Sequence, residues 1–323
     1  MPFTLPPIVA GEVAWRLFTI GLMALATWRL ARWVDGSIRL WPVRWHPGAN
    51  VEPMPEDRGR SHFLLLTLLV IPAAMGSARN GQSNLPLAAL FVLAAIDAAD
   101  RRWWRSTLLL GVAVLLKPIA MVPLLLLVAL HPPMWWRSPI VLAAVAALPF
   151  ARPDWSYVAQ QYREGLAKVL EAGEPGAGTF AELTNLLRLI GIELEHRTMT
   201  GVRAAMALAT LAAGWIVTRW AHAAWSPMAV LGLASSYLML FNPRTEGNSY
   251  PILAPAVAAA AVWAMAWGYG RAPASVMTPG DRWSARAGWA LVAGCIVLGV
   301  AHLFVPGGKD RVLRPLVALV FYA

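Results

Sequence analysis

The sequence predicts an all-α protein, a polytopic transmembrane helical bundle of about nine to eleven membrane segments, several of them short or broken. Hydrophobic residues make up 58% of the 323 residues and charged residues only 14%. This balance is typical of helical membrane proteins rather than soluble domains. Seventeen tryptophans, many beside arginine at the ends of apolar runs, fit interfacial aromatic belts with basic anchors. We therefore expect one integral membrane domain over residues 1–323.

The first apolar span is predicted at about residues 12–34. Residues 1–11, which precede it, are broken by proline and lack the basic leader of a signal peptide. The next segment, residues 35–60, is polar and contains four prolines, which disfavour a long helix. We therefore expect a loop there. Further apolar runs are predicted at about 61–76, 85–100, 106–117, 118–131, 138–151, 201–219, 225–241, 250–268 and 285–305.

Several runs in the middle of the chain hold only about 12 to 16 residues, or roughly 18 to 24 Å of helix. A bilayer core is about 30 Å thick, so such segments are short for spanning it. Broken backbone at membrane depth is tolerated where it lines a cavity or is buried in protein. The middle of the chain is therefore expected to surround a cavity.

Residues 152–200 are the longest polar stretch and are predicted to be an extracytoplasmic loop with amphipathic helices. Asp154, after Pro153, is expected to be a helix N-cap. Thr179 to Glu182 fits a capping box at the start of FAELTNLLRLIGI, whose apolar residues have helical spacing. That segment predicts a helix on the membrane surface.

Charge and cysteine content restrict the function classes. The formal charge of +10 is spread over many short loops without a basic stripe, so we interpret it as topogenic and expect no nucleic-acid partner. The single cysteine, Cys295, excludes an intramolecular disulfide. The histidines show no ligand spacing, so neither a metal site nor a cofactor is expected.

Basic residues in the short loops also predict the orientation. Loops 35–60, 101–105, 132–137, 219–225 and 269–286 are arginine-rich and are placed on the cytoplasmic side of a plasma membrane. The opposite, extracytoplasmic face then receives residues 80–84, Lys117, the 152–200 loop and residues 242–250. These are the most polar interruptions between apolar runs, so we expect them to form one site.

Lys117 is the strongest single indication of function. It follows GVAVLL and precedes an apolar run, where a charge costs about 2.5 to 3.5 kcal/mol unless it faces a polar site. The two apolar runs before it form a hairpin, which returns Lys117 to the face that carries Gln82 and Asn84. The plain alternative is a snorkelling lysine at a helix end.

The same residues resemble a known family. Gly81-Gln82-Ser83-Asn84 before an apolar helix, then GVAVLLKP, resemble the GQ-x-N … G-L-A-x-x-x-K-x-x-P signature of glycosyltransferase family 87. NPRTEGNSY, residues 242–250, also resembles a late loop of that family. These proteins are polytopic enzymes of the C-type glycosyltransferase fold and include mannosyltransferases that use polyprenyl-phosphate-mannose.

The resemblance implies a hexosyltransferase that moves a hexose, with mannose as the expected sugar, from a polyprenyl-phosphate donor to a lipid or glycan acceptor. The donor phosphate would meet Lys117 and Arg244, which supply positive charge. The sugar and acceptor hydroxyl groups would meet polar side chains. The expected substrate-binding residues are Gln82, Asn84, Asn248 and Glu246.

The chain also departs from the family pattern at its start. The family's presumed catalytic aspartate lies in a loop after a first span, and the chain's opening segment resembles the part of the family that comes after that loop. The catalytic residue is therefore unknown, with Glu246 and Asp154 as weak candidates, and no transfer by this chain is expected unless one of them acts. Alternatives are a degenerate or truncated transferase, a scaffold, or a transporter, although we see no internal repeat.

Overall fold

The structure is a computed structural model. It describes residues 7–45, 59–151, 154–171, 180–220, 225–243, 245–269, 279–304 and 310–322. All regular structure in these ranges is helical, as the sequence predicts. The helices are α1 (Ile8–Trp45), α2 (Gly59–Arg79), α3 (Asn84–Ala99), α4 (Trp103–Leu116), α5 (Met121–Leu130), α6 (Arg137–Ala147), α7 (Trp155–Glu171), α8 (Leu183–Leu189), α9 (His196–Trp220), α10 (Ser226–Phe241), α11 (Ala254–Tyr269), α12 (Pro279–Phe304) and α13 (Asp310–Tyr322).

The prediction of many short membrane segments is confirmed. Four helical stretches in the described residues are long and apolar enough to cross a bilayer, namely Ile8–Ile38, His62–Arg79, Pro132–Ala151 and His196–Trp220. Six shorter apolar helices have 10 to 17 residues. The long stretches expose apolar side chains such as Leu17, Leu64 and Leu208, which suits a lipid-facing surface.

Helix α3 is the centre of the bundle. Every residue from Asn84 to Ala98 is buried, so this helix is enclosed by protein on all sides. Helices α1, α2, α4 and α10 and the 3-10 turn at Gly247–Ile252 pack around it. Between Asn84 and Asp97, which lie near its two ends, the helix is apolar all round, as is expected in such a position.

Helices α3 and α4 form the predicted hairpin. The turn between them places Arg101 at φ 60, and the Arg102 N–H donates to the Asp97 carbonyl at 2.7 Å. Helix α1 runs parallel to α3, with Trp15 beside the start of α3 and Arg29 beside its end. We call the end that holds Asn84 and Lys117 the site end, and the end that holds Asp97 and residues 100–105 the hairpin end.

Helices α11 and α12 pack at unusually short range. A Cβ on Gly268 would come within 2.6 Å of the Ala285 backbone nitrogen, so only glycine permits this approach. Close packing through small residues is a common way to join helices in a membrane, where the lipid offers no hydrophobic drive for association.

Two boundaries differ from the prediction. Helix α1 continues to Trp45, so the first residues of the loop that was expected at 35–60, including Pro42, belong to a helix. Helix α8 is shorter than FAELTNLLRLIGI and begins after Glu182, which makes no side-chain cap. The expected capping box is therefore wrong at Glu182, and Thr179 lies outside the described residues.

Asp154 occupies the predicted N-cap position. Its Oδ1 accepts a hydrogen bond from the Tyr157 N–H at 2.9 Å and another from the Ser156 hydroxyl at 2.7 Å. Helix α7 therefore begins where the sequence indicates. That the 152–200 region faces the extracytoplasmic side stays a prediction.

Candidate functional site

Lys117 lies at a break between two short helices. Helix α4 ends at Leu116, Lys117 is extended (φ −156, ψ 123), and Pro118 opens a 3-10 turn that leads into α5. Proline cannot continue the α4 hydrogen-bond ladder, which explains why the chain turns here. The Lys117 side chain is partly buried, and its Nζ donates to Asn84 Oδ1 at 2.8 Å.

Asn84 joins three segments of the chain. Its side chain is buried at the first residue of α3, where Oδ1 accepts from Lys117. Its Nδ2 donates to the Asn248 carbonyl at 3.0 Å and to Gln82 Oε1 at 3.3 Å. A buried amide needs such partners because an unsatisfied polar group costs about 1 to 3 kcal/mol.

Glu246 brings a carboxylate into the same group. Gln82 Nε2 donates to Glu246 Oε2 at 3.4 Å, and the Glu246 side chain is exposed. We call Gln82, Asn84, Lys117, Glu246 and Asn248 the polar cluster. It contains one ammonium, one carboxylate and three amides at the site end of the bundle.

The loop between α2 and α3, residues 80–83, is held by its neighbours on both sides. Gly81 has φ 63, a left-handed conformation that favours glycine, and its carbonyl accepts from Trp15 Nε1 at 2.8 Å. On the other side, a Cβ at Gly76 would clash with the Asn248 side chain, so α2 and the 245–250 segment touch here. Contacts with α1 and α2 therefore hold the backbone segments that carry Gln82 and Asn248 in place.

The structure brings together five of the seven residues that the sequence nominates. Gln82, Asn84, Lys117, Glu246 and Asn248 are linked by hydrogen bonds, although they come from segments up to 164 positions apart. Arg244, the second expected phosphate contact, lies outside the described residues. Asp154 caps α7.

A second polar group, which the sequence analysis missed, holds the segment that carries Glu246. The Ala181 N–H donates to the Thr245 carbonyl at 2.7 Å, and the Tyr250 hydroxyl donates to the Ala181 carbonyl at 3.0 Å. The buried Arg314 guanidinium packs against Gly247. The signal in the sequence was weak, because these residues come from three distant segments without a shared motif.

Glu182, next to Ala181, is buried beside Arg203. Its Oε2 lies 3.8 Å from Arg203 Nη2, and its side chain is almost wholly removed from solvent. Burial raises the pKa of Glu182 to about 7, an effect that Arg203 and Arg188 oppose but do not cancel. Between pH 4.5 and about 7, Glu182 in the folded protein therefore keeps a proton that an ordinary glutamate would lose.

This burial predicts a pH-dependent stability. The Glu182 pKa is raised from 4.5 to about 7, so the protonated side chain stabilises the folded state. This contribution to stability is fully present below pH 4.5 and is lost as the pH rises through 7. The free energy of unfolding should fall by on the order of 2 kcal/mol between pH 5 and pH 8 from this group. Thermal unfolding in detergent at several pH values measures it.

Two substitutions separate Glu182 from the other titrating groups. Glu182→Gln should flatten the dependence, whereas Glu193→Gln, on an exposed neighbour, should leave it unchanged. Equal slopes for wild type and Glu182→Gln would show that Glu182 is ionised in the folded protein across this range.

Comparison with known protein families identifies a match over most of the chain. The sequence model of glycosyltransferase family 87 matches residues 1–243, about three quarters of the chain. No curated protein and no solved structure matches significantly. The matched region contains Gln82, Asn84 and Lys117 and ends just before Glu246 and Asn248.

Proposed function

The chain belongs to glycosyltransferase family 87, and from this membership we propose that it transfers a hexose, mannose in the first instance, from a polyprenyl-phosphate donor. It is a membrane glycosyltransferase at the coarse level that the family defines. The acceptor is a hydroxyl group of a lipid or glycan. The observation that carries the proposal is the Lys117 ammonium, held at a helix break within hydrogen-bond distance of a buried amide.

The reaction requires a positive charge at the leaving group. The acceptor oxygen attacks the anomeric carbon as the bond from that carbon to the phosphate oxygen breaks, and polyprenyl phosphate leaves with one more negative charge. Lys117 is assigned to this phosphate because charge develops there in the transition state. Asn84 fixes the direction of the ammonium through its 2.8 Å bond.

The acceptor hydroxyl must lose its proton, and a carboxylate is the usual base for this step. We assign Glu246, because it is the carboxylate of the polar cluster and is exposed enough to meet an acceptor. Attack from the face opposite to the phosphate would invert the anomeric configuration.

The three amides divide between two roles. Asn84 is buried and its side-chain groups are engaged with protein, so it positions Lys117 and the 248 carbonyl. Gln82 and Asn248 are only partly buried and are assigned to sugar hydroxyl groups. This assignment moves Asn84 from the expected substrate-binding set to a supporting role.

The arginine-rich loops support an extracytoplasmic site. Helix order puts residues 100–105, Arg137 and Arg219 at the hairpin end, whereas Lys117 follows the helix that returns to the site end. Short basic loops stay in the cytoplasm. We therefore place the polar cluster on the extracytoplasmic face of a plasma membrane.

Sealed membrane vesicles test the reaction and its face together. With the full chain expressed in a host that lacks the activity, labelled polyprenyl-phosphate-mannose should be consumed by right-side-out vesicles. Sealed inverted vesicles should consume it only after detergent opens them. Polyprenyl-phosphate-glucose in parallel reports the sugar.

Each outcome is informative. Transfer by sealed inverted vesicles alone would place the site on the cytoplasmic face. No transfer in any preparation, from folded protein and with either sugar, would favour a scaffold or a degenerate transferase.

A further inference from the structure

A polar cavity lies at the hairpin end, remote from the polar cluster. It has a volume of about 440 Å³ and opens between α1 and the α3–α4 turn. Its lining residues are Trp28, Arg29, Arg32, Trp33, Ile96, Asp100, Arg102 and Arg105. Because α3 has 16 residues, about 24 Å of helix separates this cavity from Asn84.

Positive charge predominates in the cavity. Four arginines line it, and two carboxylates face them, Asp100 in the wall and the fully buried Asp97 behind it. The Asp97 carboxylate forms ion pairs through both oxygens: Arg29 Nη2 lies 3.1 Å from its Oδ1, and Arg105 Nε lies 3.4 Å from its Oδ2. The cluster therefore carries two positive charges in excess of its carboxylates.

Arg32 supplies much of this excess. Its guanidinium stacks on the Trp28 ring at 5.0 Å and is exposed to the cavity mouth. Within the described ranges no carboxylate lies within 4.0 Å of it. Arg102 is half exposed, and its two carboxylate contacts are both 3.9 Å long, so its donors have capacity for another acceptor.

We propose that this cavity binds the phosphate group of an anionic phospholipid. Guanidinium groups match phosphate oxygens in geometry as well as charge. Trp28 and Trp33 place the cavity at the depth of lipid headgroups, where amphipathic aromatic rings concentrate in membrane proteins. Basic pockets between helices at a membrane surface suit such headgroups.

The proposed ligand is separate from the sugar donor. Its site lies at the other end of α3 and uses none of the polar cluster, so it does not depend on the proposed transfer reaction. A bound headgroup would bridge α1 and the α3–α4 turn, which otherwise meet there through Asp97 and Asp100. Binding should therefore stabilise the packing of α1 on α3.

The test is native mass spectrometry of the full chain released from mixed micelles with equal amounts of phosphatidylglycerol and phosphatidylcholine. Wild-type protein should retain at least 5-fold more phosphatidylglycerol than phosphatidylcholine. Arg32→Gln should lower that retention about 5-fold, the effect of one arginine near a membrane surface. Arg32 is exposed, so the fold should survive, and a thermal unfolding curve checks this.

The chain offers a matched control. Arg219 stacks on Trp215 at 5.1 Å, four positions apart like Arg32 and Trp28, but it does not line the cavity. Arg219→Gln should leave retention unchanged. Equal losses in both variants, or equal retention of the two lipids by wild type, would overturn the proposal.

A third arm identifies the source of the phosphate. Glycerol 3-phosphate carries the same group without acyl chains and should not displace phosphatidylglycerol at a tenfold molar excess. Complete displacement would show that the cavity takes a soluble phosphate compound instead of a lipid.

Discussion

Replacing Lys117 by alanine should lower kcat/KM for sugar transfer about 100- to 1000-fold, the loss typical of one charged or hydrogen-bonding group that stabilises a developing anion. The ammonium would be the cationic partner of the leaving phosphate within the polar cluster. The measurement is initial-rate transfer from polyprenyl-phosphate-sugar by purified protein, normalised to folded material.

The substitution also has a structural cost, which must be separated from catalysis. Without Lys117, Asn84 Oδ1 loses its 2.8 Å donor, and the protein should lose about 1 to 2 kcal/mol of stability. Thermal unfolding measures this loss. Lys168→Ala, on an exposed face of α7, controls for the removal of a lysine and should be silent in both assays.

A near wild-type rate from folded Lys117→Ala protein would remove the residue from the mechanism. Lys117 would then be a snorkelling helix end whose bond to Asn84 is structural. The kinetic result decides between the two roles.

Replacing Glu246 by glutamine should slow transfer about 100- to 10,000-fold, the range for loss of general-base assistance. Glutamine keeps the size of the side chain and can still bond to Gln82, so the polar cluster should remain assembled.

Asp154→Asn is the matched control for Glu246→Gln. Asparagine is as good an N-cap as aspartate, so α7 should keep its start and the protein its stability. The expected rate is within a few-fold of wild type. The reverse pattern, with Asp154→Asn inactive and Glu246→Gln active, would assign the base to Asp154, and two active variants would place the base elsewhere.

The members of the polar cluster could be predicted from the sequence because the order and direction of the helices bring them to one end of the bundle. An apolar run, a basic turn and a second run form a hairpin, and a hairpin returns Lys117 to the level of Asn84. The same alternation of helices brings residues 246–248 to that end. Hydrogen-bond partners were not predictable, since they depend on rotations of α3 and of the 3-10 turn that a charge pattern does not specify.

Glu182 illustrates why the rest was not predictable. Its spacing from Thr179 suggested a surface capping box, in which the carboxylate would meet backbone N–H groups and water. In the structure Glu182 is buried beside Arg203 from α9, and the neighbouring Ala181 is bonded to Thr245. Tertiary burial of this kind leaves no trace in local periodicity, and the same holds for Arg314, which an amphipathic tail helix carries to Gly247.

The enclosed α3 and its hairpin also bear on biosynthesis. A helix of 16 residues is a weak membrane signal alone, and α4, with 14, is weaker still. The two are therefore expected to leave the translocon as one unit, with the charged tip retained in the cytoplasm as proposed. Asn84 and Lys117 would then cross the bilayer together, and the amide would accompany the ammonium through the step at which an unaccompanied lysine is most costly.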